Sequence, residues 1–300
     1  MSVPVQFKRI LLEILEYFVE VCERNGLVYF LSGGSALGAV RHKGMIPWDD
    51  DIDVYMPRDD YERLQGLPDT VWGDNYRLAS WKRTRRYRYD FLKLESLNTT
   101  LIEKIHPDYA GGLFIDIFPI DNHPSDKEYI KGMEKDLSGL YAKMLECVIK
   151  HDSDCNSLFE LLALKVKRLF YNHKKTVGEI ERIAMASGGR GELTADFHNY
   201  FYCHGGWPAD CFGKGVKMEF EGKFYNIPEN WDVFLKHQFG DYKTPPPVEK
   251  RKGHDFDYVN CERRLSDAEL RKEFRRIHGK YAYRFSIKKE IKGFLSRCHF

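Results

Sequence analysis

The chain has 300 residues, of which 43% are hydrophobic and 14% aromatic, and its 47 Lys and Arg nearly balance 45 Asp and Glu. This composition predicts a folded, enzyme-sized protein and excludes both a disordered chain and a histone-like polycation. No apolar run approaches the roughly 20 residues that span a bilayer, and acids interrupt the apolar N-terminal stretch where a secretory signal would have none. We therefore expect a cytoplasmic protein, either free or peripheral on the inner face of the membrane.

The seven cysteines are scattered, odd in number and never spaced as C-x-x-C. This spacing argues against a disulfide framework and a zinc ribbon, and predicts reduced thiols. A structural zinc at Cys203, His204 and Cys211 is the weaker alternative, because no fourth ligand stands nearby.

The first predicted element is an amphipathic helix over residues 5–25, whose apolar residues recur every three or four positions. V-Y-F-L at 28–31 predicts a short strand, and S-G-G-S predicts a tight turn in which Ser35 caps the next helix. D-D-D-I-D-V-Y-M-P at 49–57 predicts a strand with one acidic and one apolar face, and its proline suits the first turn of a following helix.

Further strands are predicted at Y-R-L-A, Y-D-F-L-K-L-E and G-L-F-I-D-I-F-P-I-D, all before residue 122. The pattern is helical from about 125 to 187, and a later hairpin is expected to turn at Glu221 and Gly222. A triple proline then closes the predicted folded part as a stiff segment. We therefore predict an α+β fold with a mixed β-sheet, flanking helices and a helical layer or subdomain. The predicted division is a catalytic core over 1–124, a helical region over 125–215, a segment packing on the core over 216–260 and a basic helical tail over 261–300.

Four carboxylates lie within five residues, at Asp49, Asp50, Asp51 and Asp53. They repel one another unless a cation or water separates them. On a strand, Asp51 and Asp53 project to the same side, roughly 6.5 Å apart along the backbone, and oxygen ligands favour Mg²⁺ or Mn²⁺ over zinc. A solvated acidic loop is the alternative, but it leaves the alternation with apolar residues unexplained.

The same acids could belong to two other kinds of cation site. A calcium EF-hand does not fit, because Val54 stands where that loop requires glycine. A D-x-D glycosyltransferase also holds Mn²⁺ or Mg²⁺ with paired aspartates and stays open. Against it, only 48 residues precede the acids, which is short for the usual nucleotide-binding half of such a fold.

Gly33, Gly34 and Ser35 offer backbone N–H groups at a helix start, and we predict that they receive a phosphate. A strand, a glycine turn, a helix and then an acidic strand is an order typical of nucleotidyltransferases. Asp116, inside the apolar F-I-D-I-F, is predicted as the third carboxylate of a two-metal site, with a buried salt bridge as its alternative. Asp121 is a lesser candidate.

Several cations could contact the transferred phosphate. Arg41 and Lys43 could clamp it or decorate a helix end. Beyond the triple proline, Arg251 or His254 could stabilise the leaving phosphate or lie in a peripheral loop.

Two segments are rich in positive charge. W-K-R-T-R-R-Y-R-Y at 81–89 places five cations among aromatic residues; we favour a solvated hairpin tip over contact with an anionic glycan or its lipid carrier, and nucleic acid is not an expected partner. Residues 271–300 hold ten Lys or Arg against two Glu. There Ile287, Ile291, Phe294 and Leu295 have helical spacing, which predicts a basic helix that lies on an anionic membrane, touches a polyanionic substrate or packs on the domain.

Three stretches resemble the LicD family, which includes bacterial phosphorylcholine transferases, fukutin and fukutin-related proteins. They are L-S-G-G-S-A-L-G-A-V-R-H-K-G-M-I-P-W-D-D-D-I-D-V, F-I-D-I-F-P-I-D and I-P-E-N-W-D-V-F-L-K-H-Q-F-G-D-Y-K-T-P-P-P. The resemblance covers roughly residues 15–255. It implies a nucleotidyltransferase-like fold that transfers a substituted phosphate from a CDP-linked donor to a hydroxyl of a surface or lipid-linked glycan, such as lipopolysaccharide or teichoic acid, and releases CMP.

The resemblance also implies roles for particular residues. Asp51 and Asp53 would hold the metal, two Mg²⁺ (or Mn²⁺) ions in all, and Asp116 would complete the site or act as a base. Phosphocholine is the favoured donor group, because an aromatic cage suits its quaternary ammonium, whereas a polyol phosphate such as ribitol would need hydrogen bonds. The candidate cage walls are Trp48, Tyr55, Trp81, Tyr87 and Tyr89. A catalytically idle member that binds a glycan or a partner is the alternative class.

Overall fold

The computed structural model describes residues 4–203, 205–286 and 289, and within them the chain forms eight α-helices and eleven β-strands. The helices are α1 (Val5–Asn25), α2 (Gly33–His42), α3 (Arg58–Gly66), α4 (Lys127–Met144), α5 (Leu158–Phe170), α6 (His173–Ala184), α7 (Trp231–Phe239) and α8 (Asp267–Tyr281). The strands are β1 (Phe30–Leu31), β2 (Asp53–Pro57), β3 (Tyr76–Ala79), β4 (Leu92–Ser96), β5 (Thr100–Glu103), β6 (Phe114–His123), β7 (Leu193–Ala195), β8 (Trp207–Pro208), β9 (Val216–Phe220), β10 (Lys223–Ile227) and β11 (Phe256–Asn260).

The central sheet is mixed and has the strand order β1-β2-β6-β4-β3, as the α+β prediction requires. Strands β2 and β6 run parallel, while the other pairs along this path are antiparallel. The end of β6 continues into pairing with β7, which pairs with β8. The register sets Asp53 opposite Asp116 and Asp116 opposite Lys93, so three charged residues form one row across the middle of the sheet.

Two apolar cores hold these layers together. Helix α1 packs on β4 and β6 through the predicted stripe that includes Leu11, Ile14 and Phe18, each at most 1% exposed; burying each such side chain stabilises the fold by about 1.5–3 kcal/mol. A second core joins α4 and α6 through residues such as Leu137 and Val177. The prediction of a helical layer after the sheet is therefore confirmed. The exact domain boundaries stay a prediction.

Three local predictions are wrong. Helix α2 begins at Gly33 with Ser32 as its N-cap, so Ser35 lies inside the first turn, where its hydroxyl accepts a hydrogen bond from the Asp53 N–H instead of capping the helix. The strand expected at 28–31 shrinks to β1, because only its last two residues pair with β2. The triple proline does not close the fold, since β11 follows it and pairs with β5, a partner that local patterns cannot reveal.

The basic tail forms helix α8. Its N-terminus carries a capping box, in which the side chains of Ser266 and Glu269 each accept a hydrogen bond from the other residue's backbone N–H. Ile277 is buried and the Lys280 amine lies 2.5 Å from Asp257, in agreement with a helix that packs on the domain. Ile287, Ile291, Phe294 and Leu295 lie outside the described residues, as does His204 of the zinc alternative. No helix in the part of the chain that the structure describes is long and apolar enough to cross a bilayer.

Candidate functional site

The sheet brings three predicted acids together. Asp53 begins β2, Asp116 is its neighbour on β6, and Asp51 precedes the strand by two residues. One carboxylate oxygen from each lies within 4.8 Å of the others. An all-oxygen donor set of this kind suits a hard divalent cation. Asp121, the lesser candidate, instead accepts hydrogen bonds from both Nε and Nη2 of Arg58, at 2.8 and 2.6 Å.

The acids are crowded and largely buried. Burial, followed by the charge of Asp51, raises the pKa of Asp49 to about 8 and that of Asp53 well above its usual range. Burial also raises the pKa of Asp116 to about 6, although Lys93 opposes the rise. The cluster thus carries more negative charge than the surrounding protein compensates, which is the condition under which a bound cation stabilises a site.

Lys93 is a buried cation that the sequence analysis missed. Its amine lies 2.9 Å from Asp116 and 3.4 Å from Glu103, and its side chain is 2% exposed. Burial opposes its charged form, but Asp116 and Glu103 outweigh burial and raise its pKa. The aromatic ring of Phe114 lies 3.2 Å from the amine. The sequence did contain a signal for this role. Lys93 stands between two leucines of a predicted strand, and a lysine buried in a strand needs a partner of opposite charge.

Gly33 and Gly34 lie directly against the acids. Gly33 has φ +49°, and a Cβ there would stand 3.1 Å from an Asp53 carboxylate oxygen; a Cβ on Gly34 would stand only 2.3 Å from Asp49. The first turn of α2, which we call the glycine cradle, has no side chains at Gly33 and Gly34. It therefore leaves room for the carboxylates and for a cation or phosphate bound beside them. Its role in phosphate binding stays a prediction.

Gly34→Ala is expected to lower the phosphate-transfer activity that the sequence predicts at least about tenfold, because the Asp49 carboxylate must move away from the new methyl group. The cost in stability is expected to be small, since alanine is the better helix former. The matched control is Gly139→Ala in α4, where no atom lies within 4 Å of the added Cβ. Steady-state kinetics and thermal unfolding of both variants separate the two effects; equal activities would contradict the prediction.

The segment after the triple proline folds back over the acids. The His254 N–H donates to Asp50 at 2.8 Å, and the His254 Nδ1 lies 2.8 Å from Asp50 and 3.5 Å from Asp51. The hydrogen bond to Asp50 is the largest cause that raises the pKa of His254 to about 9. Asp50 therefore anchors this segment, and His254 lies beside the metal candidates. Arg251 lies farther out, with its guanidinium 4.7 Å from the ring of Trp48.

The acids form one wall of a cleft of about 760 Å³. Trp48, Tyr55 and Tyr89 line it, as do Gly33, Gly34, Arg41 and His254. The other two candidate cage walls do not: the Trp81 indole donates to Glu181, and the Tyr87 hydroxyl donates to the Phe91 carbonyl.

The predicted phosphate clamp is divided. Arg41 lines the cleft and donates to the Tyr242 carbonyl at 2.7 Å. Lys43 does not line it, because its amine lies 3.0 Å from Glu219 of the hairpin. Lys252, which the sequence analysis did not single out, lines the cleft instead.

His198 is a further cleft residue that sequence reasoning missed. Its Nδ1 pairs with the buried Asp90, which also accepts a hydrogen bond from the Tyr141 hydroxyl at 3.0 Å. Burial opposes protonation of the imidazole, but Asp90 outweighs burial and raises the pKa of His198. Asp90 thus holds the His198 imidazole in place beside the cleft. No local motif marks it, because Asp90 and His198 are 108 residues apart.

His198→Gln is expected to destabilise the protein by about 1.5–3 kcal/mol near pH 6, the range for hydrogen bonds to charged groups. A raised pKa means that the folded state binds the proton more tightly, so this stabilisation is complete below the usual histidine pKa and is lost as pH rises through the folded value. The difference between wild type and variant should therefore be largest near pH 6 and shrink as the pH is raised. Urea unfolding across a series of pH values checks it, and a constant difference would contradict it.

This chain resembles known proteins at two levels. A family domain matches its core, and one relative aligns with most of its length. Residues 26–139 match the domain described as LicD/FKTN/FKRP, nucleotidyltransferase domain. Over 253 residues the chain is 28% identical to "Lipopolysaccharide cholinephosphotransferase LicD" of Haemophilus influenzae, which covers 81% of this chain and 92% of that protein. Over 61 residues it is 46% identical to "Ribitol 5-phosphate transferase FKRP" of Homo sapiens, and this alignment covers 19% of this chain and 12% of that protein. A 48-residue stretch is 42% identical to "Uncharacterized protein RP689" of Rickettsia prowazekii, and this alignment covers 16% of this chain and 18% of that protein.

Proposed function

Since residues 26–139 match the nucleotidyltransferase domain of the LicD family, we propose that the protein transfers a substituted phosphate from a CDP-linked donor to a glycan hydroxyl and releases CMP. The observation that carries the proposal is the convergence of Asp51, Asp53 and Asp116 beside the glycine cradle, on one wall of a cleft of about 760 Å³. A volume of this order accommodates a small nucleotide conjugate.

Asp51, Asp53 and Asp116 would hold the divalent cation, Mg²⁺ or Mn²⁺. The donor set fits, because it consists of carboxylate oxygens within 4.8 Å of one another in a cluster short of positive charge. When bound, the cation would neutralise charge on the transferring phosphate and on the departing CMP. Lys93 already occupies one oxygen of Asp116, which favours Asp116 as a positioned ligand rather than as a base.

The remaining cleft residues position the donor and hold charge. Arg41, Lys252 and His254 line the opening around the acids and would receive phosphate oxygens. His198, held in place by Asp90, would offer its imidazole at another wall. Phosphoryl transfer requires mainly in-line positioning and charge neutralisation, which these groups can supply without a covalent intermediate.

Phosphocholine is the donor group we propose first. The relative named as a cholinephosphotransferase aligns over 92% of its own length, whereas the ribitol 5-phosphate transferase aligns over 12%. Three of the five predicted aromatic walls, Trp48, Tyr55 and Tyr89, do line the cleft and would suit a quaternary ammonium. A D-x-D glycosyltransferase has no comparable support, and the intact carboxylate trio favours an active enzyme over an idle binding protein.

A thermal-shift panel tests this function. CDP-choline, CDP-ribitol, CDP-glycerol and a UDP-sugar are each added with Mg²⁺ or with chelator, to wild type and to Asp51→Asn. A ligand at 100 times its Kd stabilises the folded state by about 2.7 kcal/mol. We expect Mg²⁺-dependent stabilisation by CDP-choline in wild type alone. Stabilisation by the UDP-sugar only, or by no nucleotide, would overturn the proposal.

We also propose a reducing, cytoplasmic location. The six cysteines in the part of the chain that the structure describes are all free, as thiols are kept in that compartment. Peripheral contact with an anionic membrane through the basic C-terminal residues is part of the same hypothesis.

A further inference from the structure

A second cavity, of about 530 Å³, is lined by residues that do not line the acidic cleft. We call it the basic cavity, because positive side chains from separate parts of the chain converge on it while Asp108 and Asp152 are the carboxylates that line it. Its side chains with a permanent positive charge are Arg86, Arg88, Lys150, Lys165 and Arg168.

The positive charge of this cavity is only partly compensated. Lys165 and Arg168 share Asp152, at 2.6 and 2.7 Å, and Lys150 pairs with Glu160 at 2.6 Å. Arg86 and Arg88 have no carboxylate partner among the residues that the structure describes. Two guanidinium groups are therefore available to a ligand, and this planar group is suited to hold phosphate oxygens with two parallel hydrogen bonds.

The alternation R-Y-R-Y at 86–89 explains why both arginines face the cavity. Tyr87 and Tyr89 are buried at 2% and 6% exposure, and the Tyr87 hydroxyl donates to the Phe91 carbonyl at 2.8 Å. Arg86 adopts φ +66°, a left-handed conformation that non-glycine residues rarely take. The buried tyrosines therefore anchor this turn and leave both arginines, which are exposed, to line the cavity.

The basic cavity adjoins the acidic cleft. Tyr89 lines the cleft, and its ring centroid lies 4.1 Å from that of His106, which lines the basic cavity. These two rings, which meet edge to face, thus separate the two spaces. A ligand longer than a single sugar could occupy the basic cavity while another part of it reaches the acids.

We propose that the basic cavity binds a phosphate or pyrophosphate group carried by the glycan acceptor, and thereby holds the acceptor while its hydroxyl reaches the acidic cleft. The identification of the ligand as the acceptor rests on the proposed function. The binding of the anionic group rests on the cavity alone. The proposal assigns a role to the basic and aromatic segment 81–89, for which the sequence analysis favoured a solvated hairpin tip.

Calorimetric titration with inorganic pyrophosphate, in chelator and at low salt, tests the binding. Without divalent cations the acidic cleft repels the probe, so wild type and Asp51→Asn are expected to bind it equally. Arg86→Gln/Arg88→Gln should weaken binding at least about tenfold. The matched control is Arg83→Gln/Arg85→Gln, which removes the same charge from the same segment outside the cavity and should bind as wild type does. Equal affinity in both double variants, or no binding by wild type, would overturn the proposal.

Two further measurements separate the sources of the anionic group and the two proposals. Sedimentation with vesicles of anionic phospholipid is expected to be the same for wild type and Arg86→Gln/Arg88→Gln. If this variant alone lost vesicle binding while its affinity for pyrophosphate stayed unchanged, the ligand would be a lipid surface and the proposal would be overturned. Pyrophosphate binding does not depend on the donor. If the nucleotide panel fails while pyrophosphate binds as expected, the proposed function fails and the anion site stands.

Discussion

Asp53→Asn is expected to lower kcat/KM at least roughly 10³-fold, equivalent to about 4 kcal/mol of barrier, while the protein stays at least as stable in metal-free buffer. Asp53 belongs to the trio that would hold the cation, so its loss removes a ligand. It is also buried beside Asp51 and Asp116, which repel its charge. A neutral amide of the same shape relieves that repulsion. Activity assays and thermal unfolding with chelator measure the two effects on one preparation.

The addition of Mg²⁺ makes this test sharper. Mg²⁺ should raise the melting temperature of wild type and leave that of Asp53→Asn nearly unchanged, because a ligand stabilises only the state that binds it. Asp74→Asn, which removes an exposed charge outside the cleft, should behave as wild type in both assays. Retention of activity within tenfold in Asp53→Asn, or a large fall in its melting temperature with chelator present, would contradict a metal role for this carboxylate.

The sequence predicted the acidic wall of the site because its signals are local. The alternation around Asp51 and Asp53 fixes which acids share a face, and an aspartate between isoleucines, Asp116, indicates a buried charge that needs a partner. The structure adds that Asp53 and Asp116 meet across parallel strands in direct register. The same local reasoning identified α1 at its observed bounds and the hairpin of β9 and β10.

Several residues of the other walls, among them Arg41 and His254, were predicted, but the pairings that position them were not, because they join distant parts of the chain. Asp50 and His254 are separated by 204 residues, and Asp90 and His198 by 108. Lys43 carries a charge that local reasoning assigned to phosphate, but the hairpin brings Glu219 within 3.0 Å of it. A cation in a sequence indicates that a partner exists; only the fold decides which one.

Lys93 compensates the charge of buried acids. Lys93→Met is therefore expected to destabilise the protein by about 3–5 kcal/mol in chelator, which is the cost of removing one partner of a buried ion pair. Methionine keeps much of the length and packing of the side chain but leaves Asp116 and Glu103 without the amine that lies 2.9 and 3.4 Å from them. Denaturant unfolding measures the change. Mg²⁺ should restore part of the loss, because the cation would replace the missing charge beside Asp116.

The control for this experiment is Lys104→Met, since Lys104 pairs with Asp255 at 3.3 Å in a largely exposed setting. Exposed pairs contribute at most about 1 kcal/mol, so this variant should unfold nearly as wild type does. If both variants lost equally little, Lys93 would not be the compensating charge of the acid row. If Lys93→Met were strongly destabilised but gained no more from Mg²⁺ than wild type does, the carboxylates would be held by the lysine alone, and the proposal of a cation beside Asp116 would fail.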